Sequence, residues 1–236
     1  MRVCIVIPAY NEEKTLATNV ARLRDFLASQ PQDDSYTILI AENGSTDGTL
    51  SVAQELAKRF PDVRFDHEAK PGRGAALKKV WTMAARDHDV VGYMDADLST
   101  ELDALPRALA VLRGGADAVT GSRLARGAKV GRVMSREITS RVFNWGRRIL
   151  LGGGVKDSQC GFKFLKTPVL RLLPEIKNDN WFFDTELLTR AQWAGFRVEE
   201  VPVTWAENRP STVRVIPTII EEGKGIMKLR KDRPRK

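Results

Sequence analysis

The sequence predicts an α/β domain: a mostly parallel central sheet with helices on both faces. Three observations carry this. Short continuous apolar runs recur through the first half of the chain. Each is followed by a segment with apolar residues at helical spacing. Polar, glycine-bearing clusters fall at the carboxyl ends of the runs. Strands alternating with helices mean βαβ units, and their right-handed crossovers place helices on both faces.

The elements follow in order. Val3–Ile7 is an unbroken apolar run, as a strand buried on both faces requires. Glu12 to Leu27 places Leu16, Val20, Leu23 and Leu27 on one helical face. Thr37–Ala41 is the second strand, and Asp47 to Phe60 a helix through Leu50, Ala53, Leu56 and Phe60. Val63–Phe65 is a short third strand, and Gly74 to Ala85 a helix through Leu77, Val80, Trp81 and Ala84. Asp89–Met94, a helix from Leu102 to Leu112, and Ala116–Thr120 complete the alternation.

After Gly121 the rhythm changes. Ser122 to Gly131 is polar and reads as a loop. Met134, Ile138, Val142, Trp145 and Ile149 define an amphipathic helix over 134–151, which ends at Gly152-Gly153-Gly154. Phe162–Leu165 reads as a strand, Phe182 to Trp193 as a helix, and Val198–Thr204 as a strand stopped at Asn208-Arg209-Pro210. With no linker and no repeat, residues 1–236 form one domain, with a basic C-terminal extension from about 209 to 236.

Composition removes several function classes. Hydrophobic residues make up 42% and charged residues 29%, an ordinary globular balance. Two cysteines cannot make a disulfide framework, and two histidines exclude a His-rich metal site, so a metal would need carboxylate ligands. No run approaches the roughly 18 apolar residues of a membrane helix, and Val3–Ile7 is too short for a signal peptide. The expected location is cytoplasmic, soluble or peripheral.

The net charge of +8 is uneven. Arg123 to Arg148 holds eight basic residues against Glu137, and Lys224 to Lys236 holds seven against Asp232, so the rest of the chain is net acidic. Two local basic stretches point to an anionic partner: nucleic acid, a phosphorylated substrate or an acidic membrane face. For each, a solvated helix face is the plain alternative. Nucleic acid fits worst, because the stretches lack an aromatic recognition motif and the acidic clusters repel phosphate.

In an open α/β sheet, ligands bind beyond the carboxyl ends of the strands. Five polar clusters fall there: Pro8-Ala9-Tyr10-Asn11-Glu12, Glu42 to Gly48, Lys70 to Gly74, Asp95-Ala96-Asp97 and Gly121-Ser122-Arg123. Two carboxylates two residues apart suit a hard cation such as Mg²⁺ or Mn²⁺ that shares its shell with phosphate oxygens. The same acids, with Ser99, also suit a helix start. Gly72-Arg73-Gly74 lacks the third glycine and the position of a dinucleotide fingerprint. Asp47 suits a helix N-cap.

Ile7-Pro8-Ala9-Tyr10-Asn11-Glu12-Glu13, Asn43-Gly44-Ser45-Thr46-Asp47-Gly48-Thr49, Asp95-Ala96-Asp97 and Gly121-Ser122-Arg123, with Asp157-Ser158-Gln159-Cys160-Gly161-Phe162-Lys163 and Phe183-Asp184-Thr185-Glu186-Leu187-Leu188, resemble family 2 inverting glycosyltransferases of the GT-A fold. They are most similar to the branch making polyprenyl-phosphate sugars, dolichyl-phosphate glucose synthases above all. The resemblance runs from about residue 3 to about 205.

The resemblance implies the site residue by residue. Pro8, Ala9, Tyr10, Glu12 and Arg73 would line the nucleotide-sugar pocket, with Glu42 and Asn43 at the base and ribose. The family has two aspartates where Glu42-Asn43 stands, which leaves base preference open. Asp95, Ala96 and Asp97 would hold the ribose and the metal, Mg²⁺ or Mn²⁺. Arg123 and Arg132 would face the acceptor phosphate, and Arg209 and Arg214 would clamp the diphosphate. Asp184 would touch a sugar hydroxyl or act as base; its alternative is helix-dipole complement. Asp184 and Glu186 do not share a helix face, so one would reach the site and the other would stay at the surface or pair with a basic residue.

The implied reaction is single displacement of a hexose from a UDP- or GDP-linked donor to a polyprenyl phosphate. A soluble saccharide acceptor is the alternative. A lipid acceptor calls for a membrane surface, read here on the basic helix 134–151, with Arg141, Arg147 and Arg148, and on the C-terminal tail; a small membrane protein partner or a homo-oligomer would serve instead.

Overall fold

The computed structural model describes residues 1–31, 33–131, 144, 146–206 and 215–234, with backbone alone at 215–220. Among these residues, nine strands and six labelled helices follow in chain order. They are β1 Arg2–Ala9, α1 Leu16–Ala28, β2 Ser35–Asn43, α2 Thr49–Arg59, β3 Val63–Glu68, α3 Arg73–Ala84, β4 Val90–Met94, α4 Ala104–Arg113, β5 Ala118–Ser122 and β6 Lys129–Gly131. A helical stretch at 146–151 precedes β7 Phe162–Lys166, a 3₁₀ segment Thr167–Glu175, α5 Phe183–Trp193, β8 Val198–Pro202, β9 Thr204–Ala206 and α6 Val215–Lys231.

Seven strands form one sheet in the order β3-β2-β1-β4-β7-β5-β8. All neighbours are parallel except β7, which runs antiparallel to both β4 and β5. The predicted α/β class and mostly parallel sheet are therefore what the chain adopts. Two apolar layers cover the faces. Val3, Ile5 and Ile7 point with Leu16, Leu23 and Leu105 into one. Cys4 and Val6 point with Leu77, Trp81 and Leu187 into the other. A continuous apolar strand feeds both layers because alternate side chains leave opposite faces.

Three expectations need correction, and one segment, Thr167–Glu175, carried no expectation. Ser122 to Gly131 is not all loop: β6 pairs in parallel with β9 in a small second sheet. The predicted strand Val198–Thr204 is accordingly split, its first part in the main sheet and its end in the second. The 3₁₀ segment was invisible to a 3.6-residue period, since its i to i+3 repeat differs. The C-terminal tail is not a bare basic extension: Ile226 and Leu229 of α6 are buried with Leu151 and Phe182 in a third cluster. Of the amphipathic helix over 134–151, residues 134–143 and 145 lie outside the described residues.

Candidate active site

The carboxyl ends of β1, β2 and β4 meet at one edge, and most of the predicted clusters meet there too. β1 and β2 are sewn together beyond their ends. Asn11 takes a positive φ of 56°, and its side-chain oxygen accepts from the Thr46 amide at 2.8 Å. The Asn11 amide donates to Ser45 Oγ at 3.0 Å, and the Glu12 amide to Thr49 Oγ1 at 2.7 Å. Asn tolerates the left-handed region because its short amide bonds locally, and this turns Tyr10 outward, 46% exposed.

Several predicted pocket residues face inward instead. Glu42 is 1% exposed; it accepts from the Ser45 amide at 2.6 Å and is paired with His67. Burial raises its carboxyl, but the Ser45 and His67 bonds outweigh that and lower it. Asn43 donates to the Ala9 carbonyl at 3.1 Å. Asn can donate where Asp cannot, and here it spends that donor on the backbone of β1. Glu12 accepts from Thr15 Oγ1 at 2.9 Å. The Ala9 and Ala96 side chains are buried, and the Ala96 carbonyl accepts from Asn19 at 2.8 Å. Asp47 is not the N-cap, which is Gly48; it accepts from the Thr49 amide at 3.0 Å.

The centre of the site is a charge cluster that joins distant segments. Arg73, at the start of α3, donates to Asp95 at 3.0 Å and to Asp184 at 3.2 Å. Tyr93 Oη donates to Asp184 at 2.8 Å. Lys163 Nζ, fully buried on β7, lies 3.4 Å from Asp184 and donates to Tyr93 Oη at 3.1 Å. Burial works against the Arg73 charge, but Tyr93, Asp184 and Asp95 more than restore it. Gly161 makes room for Asp95: a Cβ there would lie 1.6 Å from the carboxylate.

Glu186 goes the other way. It is buried, donates nothing, and accepts from Arg190 at 2.9 Å and from the Lys177 and Asn178 amides at 3.2 and 3.1 Å. Asp184 thus joins the cluster, and Glu186 pairs with Arg190.

Asp97 lies beside Asp95 and accepts from the Ser99 amide at 3.0 Å, so it also shapes the turn toward α4. Among the described residues no group of three His, Cys, Asp or Glu side chains could hold a metal by itself. Asp95 and Asp97 nevertheless fit a divalent cation of the Mg²⁺ kind, which takes one or two carboxylates and completes its shell with phosphate oxygens and water. The Asp95 side chain is 41% exposed. Burial raises its carboxyl, Arg73 opposes this, and Asp97 and Asp184 add to it. That crowding of negative charge is what a cation relieves.

Arg123 needs the largest revision. Its guanidinium forms a two-pronged bond to Asp157 at 2.7 and 2.8 Å, and its amide donates to the same carboxylate at 3.0 Å. Both side chains are buried, at 8% and 0% exposure. Burial would raise the Asp157 carboxyl, yet Arg123 holds it at about 2. Arg123 therefore serves the loop before β7 and does not stand open for a phosphate. Arg147 is 1% exposed, so it is a packed residue and not a membrane contact; burial, then Arg148, pulls its guanidinium down to about 10. Arg132, Arg141, Arg209 and Arg214 lie outside the described residues.

The members of the charge cluster that sequence reasoning missed are Tyr93 and Lys163. Lys163 carried a usable signal: a lysine between two phenylalanines in an apolar strand is buried and needs a partner. Tyr93 carried none.

Residues 4–173 match the profile of glycosyl transferase family 2. The chain belongs to that family. Among family relatives it is 36% identical over 231 residues to glycosyltransferase AglD of Haloferax volcanii, a match spanning 97% of this chain and 37% of AglD. It is 34% identical over 212 residues to undecaprenyl-phosphate mannosyltransferase of Micrococcus luteus, covering 88% of this chain and 84% of that enzyme. It is 30% identical over 223 residues to dolichyl-phosphate beta-glucosyltransferase ALG5C of Trichomonas vaginalis, covering 89% and 65%. The fold matches that of glucosyl-3-phosphoglycerate synthase from Mycobacterium tuberculosis, solved with Mn²⁺ and UDP-glucose. The TM-score is 0.64 and the identity 19%, over 99% of this chain and 80% of that one. This family 2 glycosyltransferase thus has the GT-A fold.

Proposed function

We propose that the chain transfers a hexose, with inversion, from a nucleotide diphosphate sugar to a polyprenyl phosphate. The observation that carries the acceptor is the match to the Micrococcus luteus enzyme over most of both chains. The whole chain, residues 1–236, is read as one catalytic domain.

Each group has a task in this reading. Asp95 and Asp97 hold a divalent cation, which supplies charge neutralisation for the departing diphosphate. Arg73 adds a fixed positive charge at the same edge, already aimed and needing no reorganisation during the reaction. Asp184 is 3% exposed and held by Arg73, Tyr93 and Lys163, so it orients the Arg73 guanidinium; the expected contact with a sugar hydroxyl or the nucleophile would require it to leave these bonds. A phosphate acceptor is already anionic near pH 7, so positioning matters more than proton removal. Inversion follows from a single displacement.

A lipid acceptor needs an approach from a membrane. No helix among the described residues is long and apolar enough to cross one. Ile149 is 59% exposed and Met227 53%, on helices that pack together through Leu151, Ile226 and Leu229. The same helical segments carry the exposed cations Arg148, Lys224, Lys228 and Arg230. Apolar tips among cations suit the headgroup region of an anionic leaflet. We place the protein there, on the cytoplasmic side.

The deciding experiment supplies UDP-glucose and GDP-mannose, radiolabelled in the sugar, with Mn²⁺ or Mg²⁺ and a short polyprenyl phosphate. Label should pass into the organic phase, in β linkage from an α-linked donor. Transfer to water-soluble saccharides alone would overturn the lipid acceptor, and an α-linked product would overturn single displacement.

A further inference from the structure

Trp181, Phe182 and Phe183 are consecutive, and they part company. Phe182 and Phe183 are each 1% exposed, while Trp181 is 42% exposed. An indole left facing water gives up apolar burial. It does not lie on a loose loop. The Lys177 and Asn178 amides are fixed on the buried Glu186 at 3.2 and 3.1 Å. The Asp179 carbonyl accepts from the Ala75 amide at 3.1 Å, and its carboxylate is paired with Lys78. The approach to α3 is so close that a Cβ on Gly74 would lie 2.8 Å from both the Asp179 carbonyl carbon and Phe183 Cβ. A segment anchored on both sides holds this aromatic face outward.

The face sits beside the charge cluster. The Arg73 guanidinium lies 4.6 Å from the Tyr93 ring centroid and 5.3 Å from that of Trp181. It is thus within cation–π reach of both rings while bonding Asp95 and Asp184. Asp184 is buried, so the polar groups left open beside the indole are the Asp95 carboxylate, 41% exposed, and the Arg73 guanidinium.

We propose that Trp181 is the platform for the transferred hexose, stacking on the C–H face of the ring while Asp95 and Arg73 take its hydroxyls. This rests on the nucleotide-sugar reading above. A pyranose has one face of C–H bonds and a rim of hydroxyls, and this rim of the site has the complementary halves. An isoprenoid tail would use the indole but gains nothing from a carboxylate and a guanidinium next to it, so the sugar is the better occupant. Because the loop is fixed before binding, little ordering cost is added on stacking.

The test compares a nucleotide sugar with its bare diphosphate on the full chain. UDP-glucose against UDP, and GDP-mannose against GDP, are titrated calorimetrically with Mn²⁺ into wild type, Trp181→Ala and Trp181→Phe. In wild type one sugar nucleotide should bind more tightly than its diphosphate. Trp181→Ala should lose that increment, at least about fivefold in Kd, while its affinity for the bare diphosphate and its ligand-free melting temperature stay unchanged. Trp181→Phe should keep most of the increment. An undiminished increment in Trp181→Ala would overturn the platform and leave the donor reading standing. A rise in KM confined to the polyprenyl phosphate, with donor binding intact, would overturn it in favour of a lipid contact. Failure of wild type to bind any of the four nucleotides would bring down both readings together.

Discussion

Arg73 donates to Asp184 at 3.2 Å, tying the first turn of α3 to the first turn of α5 across 111 positions of sequence. The same guanidinium holds Asp95 at 3.0 Å. One side chain therefore sets the distance between the acid at the end of β4 and the acid on α5. Lysine keeps the charge but lacks the planar fork that reaches two carboxylates at once. Arg73→Lys should lower kcat/KM at least about tenfold, about 1.4 kcal/mol of transition-state stabilisation, with an unchanged far-UV circular dichroism spectrum. Wild-type turnover in that variant would remove the bridge from the site.

Asp97→Ala removes one of two acids proposed to hold the cation. The expected outcome is loss of the Mn²⁺-dependent part of nucleotide-sugar stabilisation in a thermal-shift assay. The ligand-free far-UV circular dichroism spectrum should stay unchanged, which separates loss of the cation from loss of the fold. Retained Mn²⁺-dependent turnover would refute the assignment.

Asp157→Ala tests the buried ion pair. It strands the Arg123 guanidinium, which has 8% exposure and its main bonds on Asp157. Removing one partner of such a pair typically costs about 3–5 kcal/mol. Urea denaturation should show a loss of that order. A loss below about 1 kcal/mol would mean that Arg123 finds another anion or water, and would reopen it as a phosphate ligand.

Glu222 gives a pH signature. It is 3% exposed on α6, accepts from Gln159, and has its carboxyl raised to about 8 by burial, then by Glu221 and Asp184. The folded state keeps a proton that the unfolded chain gives up, so unfolding releases it. Stability from this group is full below about pH 4.5, declines as pH rises, and levels off above about 8. Glu222→Gln should flatten that decline and raise the melting temperature at pH 8 relative to wild type. An unchanged pH profile between these limits would place the carboxyl in contact with water.

The sequence alone determined the fold class, the order of β1 to β5 along the chain and the edge at which the polar clusters gather. Periodicity is local, and Val3–Ile7 or Leu16–Leu27 needs no partner to be read. It also put Asp95 and Asp97 two residues apart at a strand end and Asp184 and Glu186 on different helix faces, without saying which of those two joins Arg73. Tertiary structure decided the rest. Arg123 sits in a polar strand-end motif that reads as open to a ligand; only packing shows Asp157 closing on it. Asn43 and Glu42 stand where base contacts are expected, but β1 and His67 take their polar atoms first. Lys163 becomes a partner of Asp184 because β7 inserts antiparallel between β4 and β5, a choice no local pattern encodes. Ile226 and Leu229 look like a tail's greasy residues until Phe182 and Leu151 meet them. The physical reason is common to all four: a polar or apolar side chain announces that it needs a partner, but which partner depends on contacts far along the chain, and those exist only once the sheet has assembled.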